Sequence, residues 1–250
     1  MRVVRFSSNE QINYGVVDGE TIRVLRDAPF EQLDYTGAEV ALADVQLLAP
    51  VQPGKLVCVG LNYRLHAEES GVPVPEEPML FMCSPQAIIA SGDSIVLDND
   101  NDRIDFEAEI GIVIGRTGKN ISQDQALDYV FGYTCANDVS NRDLQRKDGQ
   151  FTRAKSFDTY KPMGPWIETE LDPDNADIKL WQNGELRQSS NTNDMIFPTR
   201  RIIEFVSSIM TLMPGDVIIT GTPSGVGPMK TGDVIEIEIA GIGQLKSQVQ

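Results

Sequence analysis

Apolar and polar residues alternate with a period of two along much of this chain. The pattern is clearest at 104–114, where Phe106, Ala108, Ile110, Ile112 and Ile114 fall on one side and Asp105, Glu107 and Glu109 on the other. Shorter strands are expected at 2–6, 14–17 and 21–25, between turns containing Gly and Asp. Others are expected at 56–59, 133–136, 217–220, 234–239 and 245–249. Asn183-Gly184, between 178–182 and 185–188, predicts a hairpin, because a type I′ turn needs φ > 0 at both central residues. Helical signals are fewer. Residues 62–70 form a polar helical stretch closed by Gly71, which suits the left-handed position after a helix. Ser122-Gln123-Asp124-Gln125 has capping-box spacing and predicts a helix to about Val130. Residues 199–208 have helical periodicity through Ile202, Ile203, Phe205 and Val206.

Many strands and few helices predict a mainly β protein with α insertions, folded as a compact sandwich, barrel or roll. Pro50-Val51-Gln52-Pro53-Gly54 punctuates the chain. It divides a small β-rich N-terminal unit, 1–52, from a main domain, 53–250.

Charge narrows the functional classes. The 250 residues hold 21 Lys+Arg against 37 Asp+Glu, a net −16 with the single His neutral. Such a field repels phosphate backbones and anionic lipid, so neither nucleic acid nor membrane is expected as a partner. A small anionic substrate would need local positive charge, which a metal ion supplies. No apolar run approaches the roughly 18–20 residues that span a bilayer, and the start MRVVRFSSNE has no apolar signal-like core. A soluble cytoplasmic protein is expected. Cys58, Cys83 and Cys135 are then buried reduced thiols.

The acidic alternation carries the sharpest chemistry. Glu107 and Glu109 share a face, roughly 7 Å apart at their backbones. Neighbouring carboxylates repel unless the face is wet or a cation lies between them, and both readings are open on spacing alone. The run Asp98-Asn99-Asp100-Asn101-Asp102, with Glu109 further on, has EF-hand-like acidic spacing. A non-catalytic Ca²⁺ module is therefore the rival reading, but Arg103 stands where the turn demands Gly and the flanks read as strands. Thr220-Gly221-Thr222-Pro223-Ser224-Gly225-Val226-Gly227 lacks the Gly-Lys-Ser/Thr of a P-loop, and Pro223 removes an amide from any phosphate cradle. His66 precedes Glu69 by three positions on a predicted helix. The pair is either an exposed ion pair or a general base oriented by its carboxylate. Arg142 and Lys155 read equally as solvated charges or anion-binding groups.

Taken in order, five motifs link these residues. They are Val59-Gly60-Leu61-Asn62-Tyr63 with His66 and Glu69; Asp105-Phe106-Glu107-Ala108-Glu109-Ile110-Gly111; Asn137-Asp138-Val139-Ser140-Asn141-Arg142-Asp143-Leu144-Gln145; Ala154-Lys155-Ser156-Phe157-Asp158; and the glycine stretch 220–227. The set resembles the fumarylacetoacetate hydrolase family from about Gly54 to the end of the chain, with the first fifty residues similar to a variable N-terminal unit. The resemblance implies a mixed β-sandwich roll, a homodimer, and Mg²⁺ or Mn²⁺ held by Glu107, Glu109 and Asp138. It implies that His66 and Glu69 activate water on a short helix that orders as a lid. Arg142, Gln145 and Thr222 would bind substrate, and Lys155 would stabilise developing negative charge. The expected reaction is hydrolysis of a C–C bond in an acylpyruvate-like 2,4-dioxo acid through a metal-stabilised enolate. Decarboxylation of oxaloacetate and isomerisation of an oxo acid are the alternatives at the same site.

Overall fold

The computed structural model describes residues 1–99 and 101–250; Asp100, in the acidic run considered above, lies outside the described residues. Strands dominate, as the alternation predicts. A twelve-stranded sheet runs in the order Tyr35–Ala41, Thr21–Leu25, Gln11–Asp18, Arg2–Ser8, Lys161–Glu168, Val130–Asn137, Ala108–Ile114, Val217–Ile219, Leu56–Gly60, Met79–Cys83. Gln46–Leu48 pairs beside Arg2–Ser8, and Ile88–Ile89 beside Lys161–Glu168. Most neighbours are antiparallel, but Val217–Ile219 runs parallel to Leu56–Gly60, which requires a long crossover between them. A five-stranded sheet is ordered Glu185–Asn191, Asp177–Gln182, Val234–Ile239, Gly243–Val249, Ser94–Ile95. Its hairpin turns on Asn183 (φ 54°) and Gly184 (φ 80°), as a type I′ turn demands.

The strands of the N-terminal segment continue the large sheet. Arg2 lies opposite Glu168 and Val3 opposite Ile167, and the terminal ammonium meets Glu168 Oε1 at 2.5 Å. Between the two larger sheets lies the main core, with Ile110, Ile112 and Ile114 against Ile178, Leu180 and Ile237. The helix Thr199–Ile209 adds Ile202, Ile203 and Val206 to it. Each such buried aliphatic side chain contributes about 1.5–3 kcal/mol. On the other face of the large sheet Leu56, Cys58, Cys83, Val113, Met163 and Ile219 form a second cluster. Ala108–Ile114 therefore has both faces covered.

One predicted helix takes a different form. Residues Gln123–Tyr129 wind as a 3₁₀ helix, and the Ser122 side chain caps no backbone amide. Its hydroxyl turns to Gln125 Oε1 (3.4 Å), while Arg200 Nη1 takes the carbonyls of Gln123 (3.1 Å) and Asp124 (3.4 Å). The Gln125 amide, which a capping box would give to the Ser122 side chain, donates instead to the Ser122 carbonyl (3.1 Å), so the box does not form. The three thiols are buried and unpaired. Among the described residues no helix is long and apolar enough to cross a membrane.

Candidate active site and metal centre

The site is made where two neighbouring strands change sheets together. Up to Phe106 the chain pairs with Ser140–Asn141 and Gly227–Pro228; from Ala108 it pairs with Val130–Asn137 and Val217–Ile219. Glu107 stands at the break, opposite the matching break at Asp138. The two corners are locked: Asp138 N–H donates to Glu107 O (2.9 Å), and Glu107 N–H donates to Asn137 Oδ1 (2.9 Å). Two positions on, Glu109 lies on the same face. The carboxylates of Glu107, Glu109 and Asp138 thus converge, with one oxygen of each within 4.8 Å of the others.

All three are buried, at 4, 1 and 1% exposure. The wet acidic edge is therefore not what the chain builds. Arg142 and Lys155 hold Glu107 ionised: burial opposes its charge, but the guanidinium and ammonium outweigh that and keep its carboxyl well below the usual range. Glu109 is different. Burial first, then the charges of Asp138 and Glu107, push its carboxyl well above the usual range, and its hydrogen-bond donor is the Gly221 amide at 2.7 Å. Asp138 Oδ1, although 2.7 Å from Lys161 Nζ, receives no aligned hydrogen bond. Hard oxygen donors with unmet negative charge fit a divalent cation such as Mg²⁺ or Mn²⁺.

Two lysines and two arginines surround the cluster. Lys155 Nζ bridges Glu107 Oε2 and Asp138 Oδ2, each at 2.6 Å, and although burial would lower its pKa, those carboxylates raise it above the ordinary lysine value. Arg142 donates to Asp105 Oδ2 (2.9 Å), Gln145 Oε1 (2.9 Å) and Glu107 Oε1 (2.5 Å), so its plane is fixed on three sides. Arg103 grips the same Asp105 at 2.8 and 3.1 Å. The solvated-charge reading of Arg142 and Lys155 fails, since their side chains are only 16 and 4% exposed.

The helix Arg64–Ser70 brings His66 and Glu69 to this pocket. Its entry is tied down by Arg64 on the carbonyls of Asp194 (3.1 Å) and Met195 (2.9 Å). Gly71 closes it at φ 65°, the left-handed geometry that Gly accepts without strain. Glu69 Oε2 lies 3.2 Å from His66 Nδ1, which leaves Nε2 as the free ring nitrogen. The same carboxylate accepts the Gly225 amide at 3.1–3.2 Å. The glycine stretch thus gives its amides to carboxylates of the protein, Gly221 to Glu109 and Gly225 to Glu69. Both residues need their glycine: a Cβ on Gly221 (φ +93°) would lie 2.8 Å from Asn62 Cβ, and one on Gly225 (φ +93°) 2.2 Å from Arg187 O.

His66, Glu69, Glu107, Glu109, Arg142, Gln145, Lys155 and Thr222 line one cavity of about 750 Å³, with Asp138 buried behind it. Thr222 Oγ1 accepts from Gln188 Nε2 (2.9 Å), leaving its own proton to donate. Among the described residues the acidic run does not assemble as a calcium loop. Asp98 is taken by the Tyr160 hydroxyl and Asn141, Asp102 by Asn99 and Asn141, while Glu109 belongs to the triad. Sequence reasoning missed three contributors: Lys161, Gln188 and the Arg103–Asp105–Arg142 clamp. A lysine opening an otherwise apolar strand is the one signal that was available for Lys161.

Comparison with known proteins gives the family and the fold. Residues 55–250 match the family model described as fumarylacetoacetate (FAA) hydrolase C-terminal, and residues 1–50 the one described as Rv2993c-like, N-terminal. Oxaloacetate tautomerase FAHD2B, mitochondrial, from Bos taurus is 43% identical over 242 residues, 92% of this chain and 76% of that one. The crystal structure of 5-carboxymethyl-2-hydroxymuconate delta-isomerase from Mycobacterium smegmatis superposes with a TM-score of 0.94 at 42% identity, covering 100% of this chain and 99% of that one. Fumarylacetoacetate hydrolase (EaFAH) from Exiguobacterium antarcticum gives 0.90 at 36% identity, with 100 and 99% covered.

Proposed function

The chain belongs to the fumarylacetoacetate hydrolase family, and from that premise we propose that it hydrolyses a C–C bond in an acylpyruvate-like 2,4-dioxo acid. The observation that carries this reading is the meeting, in one cavity, of a three-carboxylate cluster with a His–Glu pair. Breaking a bond beside a 2-oxo group leaves an enolate, whose charge must be spread. A divalent cation at Glu107, Glu109 and Asp138 would act as a Lewis acid toward the oxo and carboxylate oxygens of the substrate.

The remaining work falls to the protein's own side chains. Glu69 fixes the His66 ring through Nδ1, so Nε2 accepts a proton from a water molecule attacking the distal carbonyl. The Lys155 ammonium, held charged and facing the cavity, donates to the oxyanion that forms there. Arg142 and Gln145, fastened to each other, orient the substrate carboxylate, and the Thr222 hydroxyl donates to a substrate oxygen. His66 then returns its proton to the leaving carbon. The Arg64–Ser70 helix excludes bulk water while this happens.

A second reading is proton transfer at carbon without hydrolysis, or decarboxylation of oxaloacetate, at the same site. The tautomerase and isomerase names of relatives favour the proton transfer, and both forms dispense with the attacking water. The test is a panel of acylpyruvates and oxaloacetate assayed with Mg²⁺, with Mn²⁺ and after chelation. Cation-dependent acylpyruvate cleavage that His66→Ala abolishes supports hydrolysis. Undiminished cleavage by His66→Ala removes the His66–Glu69 pair from the mechanism; no cleavage of any acylpyruvate, or full activity after exhaustive chelation, overturns the reading.

A further inference from the structure

Lys161 is 1% exposed, opens the strand Lys161–Glu168 and does not line the cavity. Its ammonium lies 2.7 Å from Asp138 Oδ1. Its hydrogen bonds go to the carbonyls of Lys155, Tyr160 (3.0 Å) and Val139 (3.3 Å). No donor is left over for substrate, so its influence on the site passes through the Asp138 carboxylate and the Lys155 main chain. This ammonium differs from that of Lys155, which faces the cavity and is free to exchange its carboxylate partners for a ligand.

We propose that Lys161 is a permanent counter-cation of the metal centre, a positioning residue that lets the empty triad fold and keeps a divalent ion there exchangeable. The inference rests on the metal-centre reading given above. Its physical basis is a comparison of two opposing effects. Removing a ligand's hydrogen-bonding partner usually loosens the ligand and weakens the metal. Here Asp138 is held without Lys161: its main chain by its amide on Glu107 O (2.9 Å) and by Ser140 Oγ donating to its carbonyl (2.8 Å), and its carboxylate by Lys155 Nζ on Oδ2 (2.6 Å). Lys155 already places one buried positive charge on Glu107 Oε2 and Asp138 Oδ2; Lys161 adds a second, at Asp138 Oδ1, one carboxylate away from the ion. Like charges at that separation and burial repel strongly, so the charge effect exceeds the orientation effect. Without a cation, the same ammonium offsets a carboxylate that would otherwise be buried unpaired on that side.

The probe is Mn²⁺, titrated into metal-stripped full-length protein, with free Mn²⁺ read by electron paramagnetic resonance. Lys161→Met keeps the chain length and removes the charge. The expected result is Mn²⁺ binding tighter on the order of tenfold, with metal-free Lys161→Met melting below wild type and saturating Mn²⁺ recovering most of that loss. Affinity unchanged or weakened overturns the proposal. Should the variant fold only when prepared with Mn²⁺, its release rate into excess chelator replaces the titration: slower release than wild type supports the proposal, and equal or faster release overturns it. Wild type that binds no Mn²⁺, or binds it equally after Glu109→Gln, refutes the metal-centre reading itself and is told apart by that control.

Discussion

The carboxylate cluster and the helix carrying His66 face one cavity but are held by different means. Glu107, Glu109 and Asp138 sit on paired strands with both faces covered, each at most 4% exposed. His66 and Glu69 ride a seven-residue helix whose side chains are 13 and 44% exposed there, with Ala67 its single buried residue. A helix that short has little stability of its own and depends on the contacts that anchor it. Few buried apolar contacts mean a low local opening free energy. The difference teaches a division of labour. Charges that must tolerate one another at close range need a rigid frame, because relaxation would separate them. A base that acts on water needs an element that can open to admit substrate.

Four substitutions would break or sharpen that contrast. Glu109→Gln removes a frame ligand, and cation-dependent turnover falls on the order of 10³-fold. The metal-free variant melts above wild type, because a buried charge with little compensation is gone. The sign with pH follows from the raised carboxyl of Glu109: ionising it costs stability as pH rises above the ordinary value of 4.5. The melting advantage of Glu109→Gln therefore grows with pH from 4.5 upward, and a gap that shrinks would contradict the charge argument. His66→Ala lowers kcat for hydrolysis by about 10²–10³-fold. It leaves Mn²⁺ affinity and the melting temperature within error of wild type, as calorimetry would show.

Gly225→Ala strikes the contact between helix and glycine stretch. The added methyl meets Arg187 O at 2.2 Å with φ at +93°, so the loop shifts and the Glu69 anchor is lost. A destabilisation of about 1–3 kcal/mol, with KM raised more than kcat is lowered, is expected from denaturant unfolding and steady-state kinetics. Gly71→Ala is the mildest. It strains the left-handed cap by about 1 kcal/mol, and hydrogen exchange should speed up in Arg64–Ser70 while the sheet amides stay protected.

Much of the frame was legible from local rules. Alternation located the strand pattern around Glu107 and Glu109, but not its break at Glu107, where one expected strand becomes two, Ile104–Phe106 and Ala108–Ile114, in different sheets. Asn183-Gly184 and Gly71 announced their turns because few residues accept φ > 0. The helix read from the capping box formed, but as a 3₁₀ helix without the box: the Gln125 amide goes to the Ser122 carbonyl, and Arg200, 75 positions beyond Gln125, takes the carbonyls of Gln123 and Asp124. The glycine stretch was legible as a tight loop but not in its purpose, since its amide acceptors lie more than a hundred residues away in sequence. Lys161 carries no local signal of its role for the same reason: Asp138 is its neighbour only once the strands are paired.

A mainly β chain, the order of its motifs and the residue types available for cation, base and anion binding can all be read from the amino-acid order. Those follow from periodicity, turn chemistry and side-chain functional groups, which are properties of short stretches. Only the tertiary structure decided that the acidic face is dry, that Glu107 and Asp138 meet at a shared corner, and which charges each carboxylate keeps. Burial and charge pairing depend on what the rest of the chain brings alongside, and long-range strand pairing sets that.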